Sequence, residues 1–417
     1  MSGISEQDQV PAPMPVESAG SGSRLPGTVW ALGCVSLCMD VSSEIIHSLL
    51  PVFLVTVLGV SMQTLGLIEG VAEATATMVR VFSGALSDRL GRRKLLAIFG
   101  YGLGALSKPM FAMAPGVGMV FSARFIDRIG KGIRGAPRDA LVADVTPPEQ
   151  RGAAYGLRQS LDSVGAFAGP LLAMLLMFAS AGNFRMIFWL AFLPGLLAVL
   201  LLILGVREKC GVARKRHWPL QRAQLARLGR SYWLVVLVGS VFTLARFSEA
   251  FLLMRGTDLG LSATLVPLVM VMMNSTYMLS AYPAGKLSDR LGRNGLMICG
   301  LLVLVLSDLI LALAVNPWWV LGGAAAWGLH MGLTQGLLSA MVADASTPEL
   351  RGTAFGLFGL VTGLAVLGAS LLAGSLWQFG GGSLTFYGGT LFALCALLFF
   401  VLSKGTVERD GVGDGKR

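Results

Sequence analysis

Charge is what this sequence has little of. Asp, Glu, Lys and Arg make up 13% of its 417 residues, against about 25% in an ordinary soluble domain, and that excludes a soluble globular protein. Cysteine is scarce and scattered, at Cys34, Cys38, Cys210, Cys299 and Cys395, which excludes a disulfide framework. Cys34 and Cys38 stand at i and i+4, a spacing open to a soft metal, but cysteine is commonly buried as small apolar filler and is read so here. No metal-spaced His/Cys cluster, phosphate-cradling glycine loop or nucleophile–base set is visible. The expectation is therefore no metal, no cofactor, no enzyme and no ATP hydrolysis. The first 25 or so residues lack a basic start, an apolar core and a cleavage site, and read as a disordered tail rather than a signal peptide.

Apolar residues take the place of charge: 54% of the chain is hydrophobic, with a mean hydropathy of +0.70. They fall into twelve candidate spans, 28–57, 64–87, 95–114, 117–138, 153–180, 184–206, 232–254, 263–287, 295–314, 317–341, 352–377 and 383–403. Most approach the ~20 residues that cross a bilayer core. Backbone in lipid must bond to itself, so the spans are helices. The chain is an all-α polytopic membrane protein, and its 54 glycines suit helices that pack closely in lipid.

The net charge of +10 has a topological explanation and needs no nucleic acid. Arg89, Arg92, Arg93 and Lys94 follow span two; Arg207, Lys209, Arg214, Lys215, Arg216, Arg222, Arg227 and Arg230 follow span six against the single acid Glu208. The links near 58–63 and 114–118 hold no Lys or Arg. Basic loops stay in the cytoplasm, so both termini are expected there, in a cell membrane of the bacterial inner-membrane type. The division is a cytoplasmic tail over 1–27, a six-helix half over 28–206, a basic linker over 207–231, a second half over 232–403 and a tail over 404–417. The linker reads as a solvated connector, with an amphipathic segment on lipid headgroups as the alternative.

Two motifs recur at nearly one offset. Gly84-Ala-Leu-Ser-Asp88-Arg89-Leu-Gly91-Arg92-Arg93-Lys94 returns as Gly285-Lys-Leu-Ser-Asp289-Arg290-Leu-Gly292-Arg293. Val142-Ala-Asp144, with Pro148-Glu149 and Arg151-Gly152, returns as Val342-Ala-Asp344, with Pro348-Glu349 and Arg351-Gly352. Two matches at one period, about 200 residues, mean two halves of one design. Gly84 lets a neighbouring helix approach. Asp88 ends one helix, where a carboxylate suits the backbone N–H groups at the start of a facing helix. The arginines suit acids on adjacent loops, Asp139 or Asp144. Such a stretch can latch the ends of the helices; its plainer role is to fix topology by charge.

At this point the chain resembles the major facilitator superfamily, over essentially all twelve spans. The resemblance implies two six-helix bundles related by a pseudo-two-fold axis along the membrane normal, a central cavity and alternating access by rocking. It makes Asp88, Arg89, Gly91 and Arg92 gate residues on the cytoplasmic side, with Asp289, Arg290 and Arg293 a weaker copy in which Asn294 stands where the first has Arg93. Gly165-Ala-Phe-Ala-Gly169-Pro170-Leu-Leu-Ala173 in span five is similar to the family's Gly-x-x-x-Gly-Pro-x-x-Gly pattern of proton-coupled exporters, with Ala173 replacing the last glycine. Pro170 frees a backbone carbonyl and can kink the helix. Span four departs from the family pattern, because Arg124 is followed by Asp127, Arg128, Lys131 and Arg134.

Ionisable groups at membrane depth are costly and face a cavity or a partner. Asp40, Glu44 and His47 share a face of span one; Glu69, Glu73 and Arg80 share one of span two; Arg158 and Asp162 are four apart on span five. The second half holds fewer: Arg246 and Glu249 on span seven, Asp308 and His330 beyond. Asp40, Glu44 and Glu73 are the candidates for carrying a coupling proton, with Arg124 and Arg158 as partners whose movement would load and release it. Static ion pairing is the alternative for each. Lys108, beside Pro109, is expected near a helix end, snorkelling. Arg124, Arg158, Asp162, Arg246, Glu249, Asn274 and Tyr277 are cavity candidates, and the methionines of span eight suit an adaptable wall.

The function expected is proton-coupled efflux of a small organic solute by a transporter acting as a monomer in the lipid bilayer. Proton-symport uptake of an anionic metabolite or metal chelate is the second reading. A transporter-like sensor or scaffold is the third, and it has no need of two gate motifs. Sodium coupling stays open.

Overall fold

A computed structural model describes residues 25–208, 227–347 and 350–413, without the side chains of 288–290 and 403–413. Most of the linker and the outer parts of both tails therefore lie outside the described residues, as do the side chains of Asp289 and Arg290. The described chain is helical, with no strands. In order it forms α1 (Gly27–His47), α2 (Met62–Leu90), α3 (Arg93–Met113), α4 (Val117–Val145), α5 (Arg151–Ala179), α6 (Phe184–Gly205), α7 (Arg230–Leu244), α8 (Ala250–Asp258), α9 (Pro267–Ala312), α10 (Pro317–Thr334), α11 (Leu337–Asp344) and α12 (Arg351–Gly413).

These helices make twelve spans. α1 runs on through Leu50–Val52 and a π-helical turn at Phe53–Val57. α7 with α8 forms span seven, and α10 with α11 forms span ten. α9 bends at Gly292 (φ 69°) into spans eight and nine, and α12 bends at Gly381 (φ 73°) into spans eleven and twelve. A left-handed φ is easy only for glycine, so these sharp returns fall where the sequence supplies it. α12 continues to Gly413, beyond the span end expected at 403.

Opposite the basic loops, the turns are capped by neutral side chains. Ser61 accepts from the Thr64 amide at the start of α2, Asn183 from Met186 before α6, and Asn316 from Trp318 and Trp319 in α10. A capping oxygen satisfies N–H groups that the first turn leaves unbonded, so these links start helices without charge.

The apolar core divides unevenly. At the end away from the basic loops, one cluster runs through both halves: Leu49, Leu50 and Phe53 with Phe251 and Leu252, and Leu65 with Ala369 and Ala373. At the basic end each half keeps its own: Val35, Tyr101 and Leu202 in the first, Phe242, Leu301 and Phe400 in the second. The far side is therefore sealed by shared core, while no apolar cluster among the described residues joins the halves at the basic end.

That seal depends on backbone contact. A Cβ on Gly66 of α2 would stand 2.3 Å from the Ser370 carbonyl oxygen and 3.3 Å from the Gly374 Cα, both in α12. Neither backbone atom can rotate away. Gly66→Ala is therefore expected to cost about 1–3 kcal/mol, read as a lower melting temperature and faster thiol labelling of cysteines placed in the far-side seam. An unchanged melting temperature and labelling rate would show that this seam is looser than its geometry.

A charged cavity between the two halves

Two adjoining chambers lie between the halves. The first, about 580 Å³, is lined by Glu44 and His47 of α1, Glu73 of α2, and Arg246, Phe247 and Glu249 of span seven, with Asn274, Tyr277 and Trp327. The second, about 360 Å³, is lined by Asp40, Arg80, Arg134, Arg138 and Asp162. Glu44, Glu73, Thr77, Lys131, Ala166 and Tyr277 line both, so the chambers are continuous. Arg80, whose side chain is 63% exposed, pairs with Asp139 at 3.5 Å. Of the sequence candidates, Asp40, Glu44, Glu73, Asp162, Arg246, Glu249, Asn274 and Tyr277 line this space.

Arg124 and Arg158 do not. Arg124 is buried in the wall and donates to Glu69 at 2.6 Å. Glu69 is fully buried, accepts from Ser248 of the other half at 3.4 Å, and lies 3.9 Å from His47, which is 3.5 Å from Glu44. On its other side Arg124 is 4.0 Å from Glu73, which pairs with Arg128 at 3.0 Å. Arg128 stands 3.6 Å from Asp127, and Asp127 holds Lys108 at 2.7 Å. The result is one alternating chain of charges from the cavity wall into the first half. Burying an ion alone costs several kcal/mol, and alternation is what offsets it.

Lys108 corrects the sequence reading. It is 1% exposed and donates to Asp127 and, at 3.2 Å, to Ser43; it does not snorkel. Position five residues short of the end of α3 suggested an interface, but the residue opposite on α4 is a carboxylate, and the pair draws the amine inward. Glu69 is the acid that holds Arg124, where the sequence points to Glu73. Its signal was its place on the face shared with Glu73.

Arg158 instead bonds Asp162 at 2.7 Å and lies 3.6 Å from Asp139. Arg138 lies 3.7 Å from Asp162 and donates to Ser36 at 2.9 Å. This second network ties α1, α4 and α5 together near the second chamber.

The glycines of span five seat the acids of span one. A Cβ on Gly165 would meet the Asp40 Cβ at 2.9 Å, and one on Gly169 would meet the Glu44 Cβ at 2.5 Å. The two helices touch where the two carboxylates leave α1. Pro170 has no N–H, so the Ala166 carbonyl one turn earlier loses its helical donor. Asn274 of α9 supplies one across the interface at 2.8 Å.

At the basic end the hub is Arg93, which the resemblance did not carry over. It pairs with Asp88 at 3.3 Å and with Asp144, and donates to the Ala140 carbonyl at 3.1 Å. Gly91 (φ 62°) ends α2. The carboxylate at the start of the facing helix is Glu208 rather than Asp88: it accepts from the Arg93 and Lys94 amides at 2.6 and 3.3 Å, where the helix dipole favours negative charge. Arg89 and Arg92 are exposed, and a Cβ on Gly84 would rest 3.4 Å from Ala136. In the second half Arg293 pairs with Asp344. Arg293 directly follows Gly292 while Arg93 stands two beyond Gly91, so the same bond is made one residue out of register.

Comparison with known proteins agrees with this architecture. The model of the Major Facilitator Superfamily matches residues 32–255 and 234–416. An MFS-type transporter of Methanocaldococcus jannaschii is 30% identical over 391 residues, 91% of this chain and 96% of that one. The class C tetracycline resistance protein of Escherichia coli is 27% identical over 75% of this chain and 80% of that one. A crystal structure of a POT family transporter superposes with a TM-score of 0.76 at 14% identity, covering 91% of this chain and 96% of that one, which speaks for the fold alone. The chain belongs to the Major Facilitator Superfamily, a family of membrane transporters and not of enzymes.

Proposed function

We propose that the protein exports small organic solutes in exchange for protons. The observation that carries this reading is the seating of Asp40 and Glu44 over Gly165 and Gly169, with both carboxylates lining the space between the halves. A carboxyl that exchanges between a polar cavity and a closed helix interface changes its preference for a proton. Closing of the cavity over Asp40 and Glu44 as the halves rock therefore links proton binding to the state of the cavity. The likeness to a tetracycline resistance protein supports export over uptake.

In this reading the basic loops face the cytoplasm of a cell of bacterial type, in its inner membrane, with both termini on that side. The conformation described, sealed on the far side by shared core, is the one that takes solute from the cytoplasm. The halves 28–206 and 232–403 rock as bodies within one monomer. The Arg93–Asp144 and Arg293–Asp344 pairs hold the loops of each half in shape for the opposite state.

Everted membrane vesicles with an imposed pH gradient test this. Adding a panel of amines that carry an aromatic ring, tetracycline among them, is expected to collapse the gradient in wild type. Glu44→Gln and Asp40→Asn each cut the rate at least tenfold at matched expression. Full gradient-driven flux in both variants would remove these acids from the coupling path, and flux that builds the solute up on the proton-entry side would establish uptake.

A further inference from the structure

The charges of the cavity divide into two kinds. In the larger chamber the acids of the first half are already answered, Glu44 by His47 and Glu73 by Arg128. Arg246 and Glu249 are not. Both line the larger chamber, and among the described residues neither has an opposite charge within 4 Å. Arg246 lies instead over the Phe242 ring, its guanidinium carbon 5.6 Å from the centroid.

Their backbone is also unusual. Span seven is not one helix: α7 stops at Leu244 and α8 starts at Ala250. Arg246 and Glu249 sit in the interruption. Non-helical backbone at membrane depth persists where it is buried in protein or lines a cavity, and interrupted helices are where membrane transporters place ligand groups. Beside the break stands an aromatic wall. Phe247 packs on Trp327 at 5.6 Å and on Phe386 at 5.5 Å, and Phe247, Trp327 and Phe358 all reach the chamber.

We infer that the solute is an aromatic zwitterion, whose carboxylate seats on Arg246, whose ammonium seats on Glu249, and whose ring lies against the Phe247–Trp327 wall. This rests on the transport reading and narrows its cargo. A molecule with both charges completes two charge-assisted bonds at once. One with a single charge leaves the other protein ion unanswered in a half-buried wall, which is the costly outcome. Sites built on paired polar groups reject analogues that lack one of them far more strongly than apolar pockets reject a missing methylene. Lys131, on the opposite wall, is exposed where the chambers join, so water satisfies its charge without the solute.

Binding to the purified full-length protein in nanodiscs, with no gradient imposed, tests the inference separately from transport. The probes are norfloxacin and L-tryptophan, each compared with its ester, which is only a cation, and its N-acyl derivative, which is only an anion. At least one parent is expected to bind ten times or more tighter than both of its derivatives. Arg246→Gln removes the advantage of the parent over the ester. Glu249→Gln removes its advantage over the N-acyl form. Arg246→Lys and Glu249→Asp keep part of each preference, which distinguishes recognition from misfolding. The inference is overturned if singly charged derivatives bind as tightly as the parents, if the preferences survive both glutamine variants, or if neither parent binds. A failure of the vesicle assay with these preferences intact would instead strike the proton-coupling reading.

Discussion

Glu69→Met will destabilise the protein by about 3–5 kcal/mol, the usual cost of stranding one member of a buried ion pair. Glu69 has no exposure, and the Arg124 it accepts from at 2.6 Å is 2% exposed. Arg124 would be left with Glu73 at 4.0 Å, which is already committed to Arg128 at 3.0 Å. Arg124→Met strands Glu69 in turn, with only Ser248 and a distant His47 beside it. Removing both leaves Glu73 with Arg128 and Asp127 with Lys108, so the remaining chain of charges is still balanced. The Glu69→Met/Arg124→Met double variant is therefore expected to melt above both single variants, because an apolar pair of similar volume often replaces a buried ion pair without loss. Melting of the detergent-solubilised protein, followed as a double-mutant cycle, measures this. Simple addition of the two losses would mean that the pair is not the unit drawn here.

That pair also marks how far the sequence could be read. The spans, their orientation relative to one another and the two halves follow from composition and from the repeat, because hydropathy and loop charge are local and additive along the chain. The glycines of span five were legible for the same reason: Gly165, Gly169 and Pro170 act within one or two turns. Which acid meets Arg124 was not legible. Glu69 and Glu73 share a face of α2 one turn apart, and the choice between them depends on the depth at which α4 crosses. Lys108 was misread because its partner Asp127 is 19 residues away and a hydropathy pattern does not see pairs. The interruption at Arg246 and Glu249 carries no proline or glycine, so nothing local announced it. The 84–94 stretch shows the same boundary: the motif placed a helix end at Asp88, but the hub Arg93 and the capping Glu208, 115 residues apart, emerge only when α3 and the end of α6 meet.

The contact that joins the two halves through Pro170 gives the second large effect. Asn274→Leu removes the only donor described for the Ala166 carbonyl and leaves that oxygen in a helix interface without the N–H that Pro170 lacks. An interhelical hydrogen bond in a membrane is worth up to about 1–2 kcal/mol, and 1.4 kcal/mol is a factor of ten in an equilibrium. The sealed state of the far side is therefore expected to lose ground about tenfold, seen as that much faster labelling of Ser370→Cys, a position with no exposure in the seam, in a background without the native cysteines. Pro170→Ala has the opposite logic. It returns an amide to position 170, the carbonyl is bonded within its own helix, and Asn274 loses its role in the seal. In the Pro170→Ala background, Asn274→Leu should then change labelling by less than about twofold, within the error of independent sites. The glycines at 165 and 169 are untouched in both backgrounds, so α1 still lies against α5 and the test isolates the carbonyl. A tenfold effect of Asn274→Leu with alanine at 170 would show that the asparagine works through some other contact; strong non-additivity makes the proline the reason that a side chain of the second half reaches the backbone of the first.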